Sequence, residues 1–148
     1  MQTIVVSCII FRKKLKTYEF LLLKRTPQKG SFWQPPGGVY EKKDKSKLEG
    51  VYREVFEETG IKKEDFIRVL ENIHQFTFDK HHITNEPINP IKEFVHAFQV
   101  KKNVKININK NKSKEHENYK WVSFEQALKM LKWQNNIDSF NKLRKTIF

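Results

Sequence analysis

The periodicity of the chain predicts one domain of mixed α and β structure. Three observations carry that reading. Runs rich in β-branched and aromatic residues recur from end to end, and a helical pattern with one apolar face stands among them. At 148 residues the chain can bury a sizeable core without staples. In order, residues 3–11 (TIVVSCIIF) and 19–23 (EFLLL) read as strands joined by a charged hairpin connection over 12–17. Lys24 and Arg25 end the second strand, and 26–31 form a loop. In Phe32-Trp33-Gln34-Pro35-Pro36-Gly37-Gly38 the prolines hold the chain extended and the glycines let backbone approach a ligand. After the helix, 66–78 alternates as one strand or two, and 93–100 gives another. Between them 79–90 reads as a long polar loop with two prolines and the pair His81-His82, a place for specificity. Residues 104–108 alternate as an edge strand protected by lysines. Residues 119–122 form a short strand, Ser123 with Glu125 and Gln126 caps a helix running to about Leu131, and a last helix spans 136–147.

The formal charge of +12 favours a polyanionic small-molecule partner through the overall field of the protein. The basic residues are dispersed rather than gathered in a stripe, so nucleic acid is not the expected partner. A lone cysteine, Cys8, excludes a disulfide framework and reads as a buried apolar position in the first strand. The apolar run at residues 4–11 is too short to span a membrane and lacks the flanks of a signal peptide, so the expected location is the cytosol. His74, His81, His82 and His96 lack metal-ligand spacing with soft partners and read as structural or solvated.

The helix pattern carries the chemistry. At about 100° per residue Glu54, Glu57 and Glu58 share one face, while Leu48, Val51, Tyr52, Val55 and Thr59 form an apolar stripe on another. Gly60 is the expected stop. Three adjacent carboxylates repel one another, and a hard divalent cation, Mg²⁺ or Mn²⁺, relieves that repulsion. Gly50, on the carboxylate side, would let a bulky ligand approach, and Arg53 can pair with Glu57 at i+4.

Residues 38–61 resemble the signature of the Nudix hydrolases, enzymes that cleave nucleoside diphosphates linked to another moiety. That pattern runs Gly, five residues, Glu, seven residues, then Arg-Glu-apolar-any-Glu-Glu-any-Gly-apolar. Arg53, Glu54, Val55, Glu57, Glu58, Gly60 and Ile61 fill its second half without a mismatch. The first half departs: counted back from Arg53 the family Glu falls on Lys45, and counted forward from Gly38 it falls on Asp44. One extra residue in the 41–45 loop, with Asp44 standing in for the Glu, explains both counts. The resemblance implies an α/β fold, the Nudix α/β/α sandwich with a mixed β-sheet. It also implies Mg²⁺ or Mn²⁺ held by Glu54, Glu57, Glu58 and the Gly38 carbonyl.

The tail, EHENYKWVSFEQALKMLKWQNNIDSF, is similar to Nudix enzymes acting on dATP or dihydroneopterin triphosphate, and its Glu-His…Tyr-Lys-Trp element is shared with diadenosine tetraphosphate hydrolases. The matching glutamate, Glu115, is implied as a further metal ligand or a base. Glu57 or Glu115 would orient or deprotonate the attacking water, with Arg53 in support. By the same resemblance Arg25 is a candidate for reaching substrate phosphates, and Trp33 either packs in the core or flanks a base. The implied reaction cleaves a nucleoside or pterin triphosphate to monophosphate and pyrophosphate. The alternatives are a dinucleoside polyphosphate substrate, or a Nudix-fold module that binds nucleotide or RNA without turnover.

Overall fold

The computed structural model describes residues 2–110 and 114–148. Its elements run β1 (Thr3–Lys14), β2 (Thr17–Arg25), β3 (Trp33–Gln34), β4 (Gly37–Val39), α1 (Lys47–Thr59), β5 (Phe66–Lys80), β6 (Pro87–Val100), β7 (His116–Val122), α2 (Phe124–Met130) and α3 (Gln134–Ile147). The strands form one seven-stranded mixed sheet in the order β3-β2-β1-β6-β5, with β4 also paired to β1 and β7 to β2. β1 lies parallel to β6, Thr3 opposite Ile91 and Phe11 opposite Gln99, and antiparallel to β2 and β4.

Alternation along the central strands produces two cores. Val6, Cys8 and Ile10 of β1 with Leu21 and Leu23 of β2 face Val51 and Val55 of α1. Ile9, Phe11, Phe20 and Leu22 point the other way, toward Phe124, Ala127, Phe140 and Leu143 of α2 and α3. A sheet buried on both faces requires a helical layer on each, so the α/β/α sandwich follows directly from these side chains. Among the described residues, no helix is long and apolar enough to cross a membrane.

α1 is bounded as its sequence dictates. The Ser46 hydroxyl accepts from Glu49 N at 3.1 Å, and Gly60 closes the helix at φ 77°, its N–H donating to Phe56 O. Ser123 caps α2 in the same way, accepting from Gln126 N.

Three expectations need correction. The first hairpin turn shrinks to Leu15-Lys16, because the charged residues flanking it pair across the strands: Arg12 stands opposite Glu19 and donates to it at 2.7 Å. The long loop over 79–90 is half strand, since β5 runs to Lys80 and β6 begins at Pro87, and only residues 81–86 turn. Both prolines are tolerated because β1 begins to pair with β6 at Ile91, so 87–90 have a neighbour on one side only. Residues 104–108 form no strand: Val104, Ile106 and Ile108 pack into the core beneath α1, and Asn107 N donates to Thr59 O at 2.8 Å.

Candidate active site

The site is assembled where the C-terminal half of α1, the β4 glycines and the start of β7 converge. Glu58 is the most confined of the helix acids, with 1 % of its surface exposed. Its Oε2 accepts from Gly37 N at 2.8 Å, while its Oε1 is buried and has no hydrogen-bond partner among the described residues. Burial first, and repulsion from Glu54 second, push its pKa well above the ordinary carboxylate value. Glu54 is raised too, by burial, against the opposing pull of Arg53. Glu57 sits at the rim, half-buried, with its Oε2 3.4 Å from Arg53 Nη1. The three acids therefore do not share one solvated face, because α1 lies against β4 at the Glu54–Glu58 edge and leaves only Glu57 outside.

Arg53 braces the cluster. Its Nε and Nη2 donate to the two carboxylate oxygens of Asp44 at 2.8 and 2.9 Å, its Nη1 donates to Glu54 Oε1 at 2.9 Å, and Nη2 also reaches Val39 O at 3.1 Å. Asp44 further accepts from Glu41 N at 2.9 Å, and the bidentate guanidinium holds its carboxyl below the usual range. Asp44 thus fills the place that Lys45 cannot. Gly50 answers to the same residue: a Cβ there would lie 3.0 Å from Asp44 Oδ2 and 3.2 Å from Tyr40 Cδ1, so the missing side chain makes room for the Asp44 loop rather than for a ligand.

Two glycines let the backbone reach the acids. A Cβ on Gly37 would strike Val6 O at 2.7 Å, and one on Gly38 would overlap the Glu54 carboxylate itself. From the far side comes Glu115, whose carboxylate lies with those of Glu58 and the ring of His116 in a group of ligand atoms all within 4.8 Å of one another. A bulge in the β2–β7 ladder brings these residues in: Lys24 pairs with Asn118 but Arg25 with His116, so Glu117 is set aside and forms an ion pair with Lys24 at 3.3 Å.

His116, which carries no assigned role in the motif, is buried beside the acids. Gln34 Nε2 lies 3.1 Å from its Nε2, an arrangement that places the ring proton on Nδ1, 4.0 Å from Glu58 Oε1. Burial and the nearby Arg25 lower its pKa to about 4, so the ring is neutral at pH 7. The other histidines lie away from the acids: His74 meets Ser139 Oγ at 2.9 Å and His96 is buried in the sheet. His81, which accepts from Ile83 N, and His82, packed against Phe32 and Trp133, are at the hairpin tip and line the cleft next to the acids.

A cleft of about 830 Å³ opens on the α3 face of the sheet next to these groups, lined by Gln34, Gly37, Gly38 and Arg25 at the acidic end and by Phe76, Phe78 and Trp133 farther along. Arg25 is half-buried, and its Nε has no hydrogen-bond partner among the described residues. Trp33 does not line the cleft; it packs against the α2–α3 core, with Lys120 Nζ 5.5 Å above its ring.

A family model for the NUDIX domain matches residues 1–143. The chain belongs to the NUDIX domain family. It is a Nudix pyrophosphohydrolase, with every carboxylate of the signature helix and their arginine in place. Similar folds include a Listeria monocytogenes protein assigned as a NUDIX hydrolase (TM-score 0.80, 23 % identity, 99 % of this chain and 94 % of that one). The Caenorhabditis elegans Ap4A hydrolase is similar at TM-score 0.75 and 21 % identity, over 98 % and 97 % of the two chains. The Escherichia coli dihydroneopterin triphosphate pyrophosphohydrolase is similar at TM-score 0.76 and 18 % identity, over 97 % and 95 %. No curated protein sequence matches the chain.

The acid cluster fits a divalent metal ion. A buried carboxylate oxygen without a partner, a second raised carboxylate, a glycine backbone pressed against it and an all-oxygen donor set with one neutral imidazole nearby suit a hard cation.

Proposed function

We propose that this Nudix enzyme hydrolyses a nucleoside triphosphate or a pterin triphosphate to the monophosphate and pyrophosphate, using Mg²⁺ or Mn²⁺. The observation that carries this reading is Glu58, buried with one oxygen unsatisfied beside Glu54 and Glu115. Glu54, Glu58, Glu115 and the Gly38 carbonyl would hold the metal, and Glu57 completes the cluster from the rim. When bound, the metal neutralises phosphate oxygens and lowers the pKa of water.

The chain's own groups supply the rest. Arg53 keeps Glu54 and Glu57 in fixed positions through its bonds to both and to Asp44. Arg25, at the acidic end of the cleft with an unsatisfied Nε, would take substrate phosphate. Glu57 or Glu115 would accept the proton of the attacking water and aim its lone pair at phosphorus. Neutral His116 faces Glu58 without adding a charge to the cluster.

Pyrophosphate release from dATP, other nucleoside triphosphates, dihydroneopterin triphosphate and diadenosine tetraphosphate, with Mg²⁺ and again with EDTA, tests the reading. EDTA should abolish turnover, and Glu58→Gln should cost roughly 10²–10³-fold in kcat with the fold intact. An active Glu58→Gln enzyme would sink the assignment, and a preference for diadenosine tetraphosphate would replace the substrate.

A further inference from the structure

The reacting groups leave one acid of the cleft unexplained. Glu93 of β6 is the one acidic residue among those lining the cleft, which it shares with the aromatic side chains of Phe32, Phe76, Phe78 and Trp133 and with the basic Lys80 and Lys132. Its Oε2 accepts from the Ser7 hydroxyl at 2.7 Å, and among the described residues it forms no ion pair. Ser7 occupies one lone pair of one oxygen, so the remaining acceptor capacity of the carboxylate is free for a ligand. Glu93 stands opposite Val5 on one side of β1 while Gly37 stands opposite Ser7 on the other. Two strand spacings, roughly 10 Å, therefore separate it from the backbone that touches Glu58, a distance on the scale of a nucleoside.

We infer that Glu93, held by Ser7, reads the ring of the substrate and selects a heterocycle that presents a ring N–H beside an exocyclic amino group, the 2-amino-4-oxo edge common to guanine and the pterins. A carboxylate is acceptor-only, and that edge offers it two parallel donors. Adenine places a ring acceptor beside its amino group, and cytosine does the same, so either would set a lone pair against the carboxylate. The aromatic side chains around Glu93 supply faces on which a flat ring can stack. Burial raises the Glu93 pKa to about 6, which still leaves the group mainly ionised at neutral pH and poorly solvated, the state in which two donors are most strongly held. The inference rests on the proposed function in taking this cleft as the substrate's seat, and it adds to that reading which ring the seat accepts.

The test uses the full chain with Mg²⁺ and four substrates: GTP, dihydroneopterin triphosphate, ATP and CTP. GTP or dihydroneopterin triphosphate should exceed ATP and CTP at least ten-fold in kcat/KM, and the better of the two tells guanine from pterin. Glu93→Gln replaces one acceptor by a donor. It should shrink that preference roughly ten- to hundred-fold, through KM, while ATP turnover changes only a few-fold. A general defect from disturbed packing would lower all four alike, and that result, or a wild-type preference for ATP or CTP, overturns the inference. Equilibrium binding of the same four compounds in EDTA reads the same ratio. A chain without turnover, which would sink the proposed reaction, therefore still decides the role of Glu93. Should Glu93→Gln fail to fold, a wild-type preference for ATP or CTP still overturns the inference.

Discussion

Asp44, just before α1, and Glu58, within it, are both buried acids, yet their carboxyls move in opposite directions because one has a guanidinium and the other has only a backbone N–H. Asp44→Asn leaves Arg53 without its bidentate partner and should cost about 1.5–3 kcal/mol, measurable by urea unfolding. For Glu58 the folded-state pKa is raised, so its contribution is fully present below about pH 4.5, the unfolded value, and is lost as pH rises through the folded one. Metal-free Glu58→Gln should therefore be more stable than the wild type at pH 7, and the gap should close as pH falls toward 4.5. Millimolar Mg²⁺ should raise the melting temperature of the wild type and leave that of the variant unmoved. His116 behaves in the reverse sense. Its folded pKa is depressed to about 4 from 6.5, so its contribution is present above pH 6.5 and is lost as pH falls toward 4. His116→Gln should flatten the acid limb of the stability profile relative to the wild type over that interval.

At the scale of elements, β4 and α1 work as a pair, and their glycines are not equivalent. Gly37→Ala drives a methyl into the Val6 carbonyl, which belongs to the central strand and cannot yield, so it should destabilise the fold strongly. At Gly38 the obstacle is the end of a flexible glutamate, so Gly38→Ala should fold nearly as well as the wild type while losing most of its activity. Melting curves and initial rates on the two variants separate these outcomes. The course of α1 and its end were legible in the sequence, since the apolar stripe from Leu48 and the stop at Gly60 are local signals with local consequences, whereas its Ser46 cap emerges only in the structure. The β5–β6 hairpin and the β7 bulge were not, because strand length and register depend on partners distant in sequence: 79–90 looks like loop until Phe78 is set opposite Ile91. His116 and Glu93 escaped for a related reason. Each is an ordinary strand residue until a bulge or a neighbouring serine gives it a direction.

For the whole molecule, the excess of 29 basic over 17 acidic residues surrounds a site whose own acids would repel a polyphosphate. The positive field offsets that repulsion at long range and is screened by salt. KM for a triphosphate should rise several-fold between about 50 and 500 mM salt, with kcat little changed; a flat KM would show that only short-range contacts matter. The layered architecture was legible from the family resemblance, whereas alternation alone leads only to a mixed α and β domain, because nothing local announces that β1 runs parallel to β6. That pairing joins Thr3 to Ile91 and Phe11 to Gln99. A growing polypeptide can close the β1–β2 hairpin early, but the opposite edge of β1 must wait until residue 99 has left the ribosome. At roughly 5–20 residues per second the delay is roughly 4–18 seconds, during which one of the most apolar strands in the molecule offers an open edge to any neighbouring nascent chain.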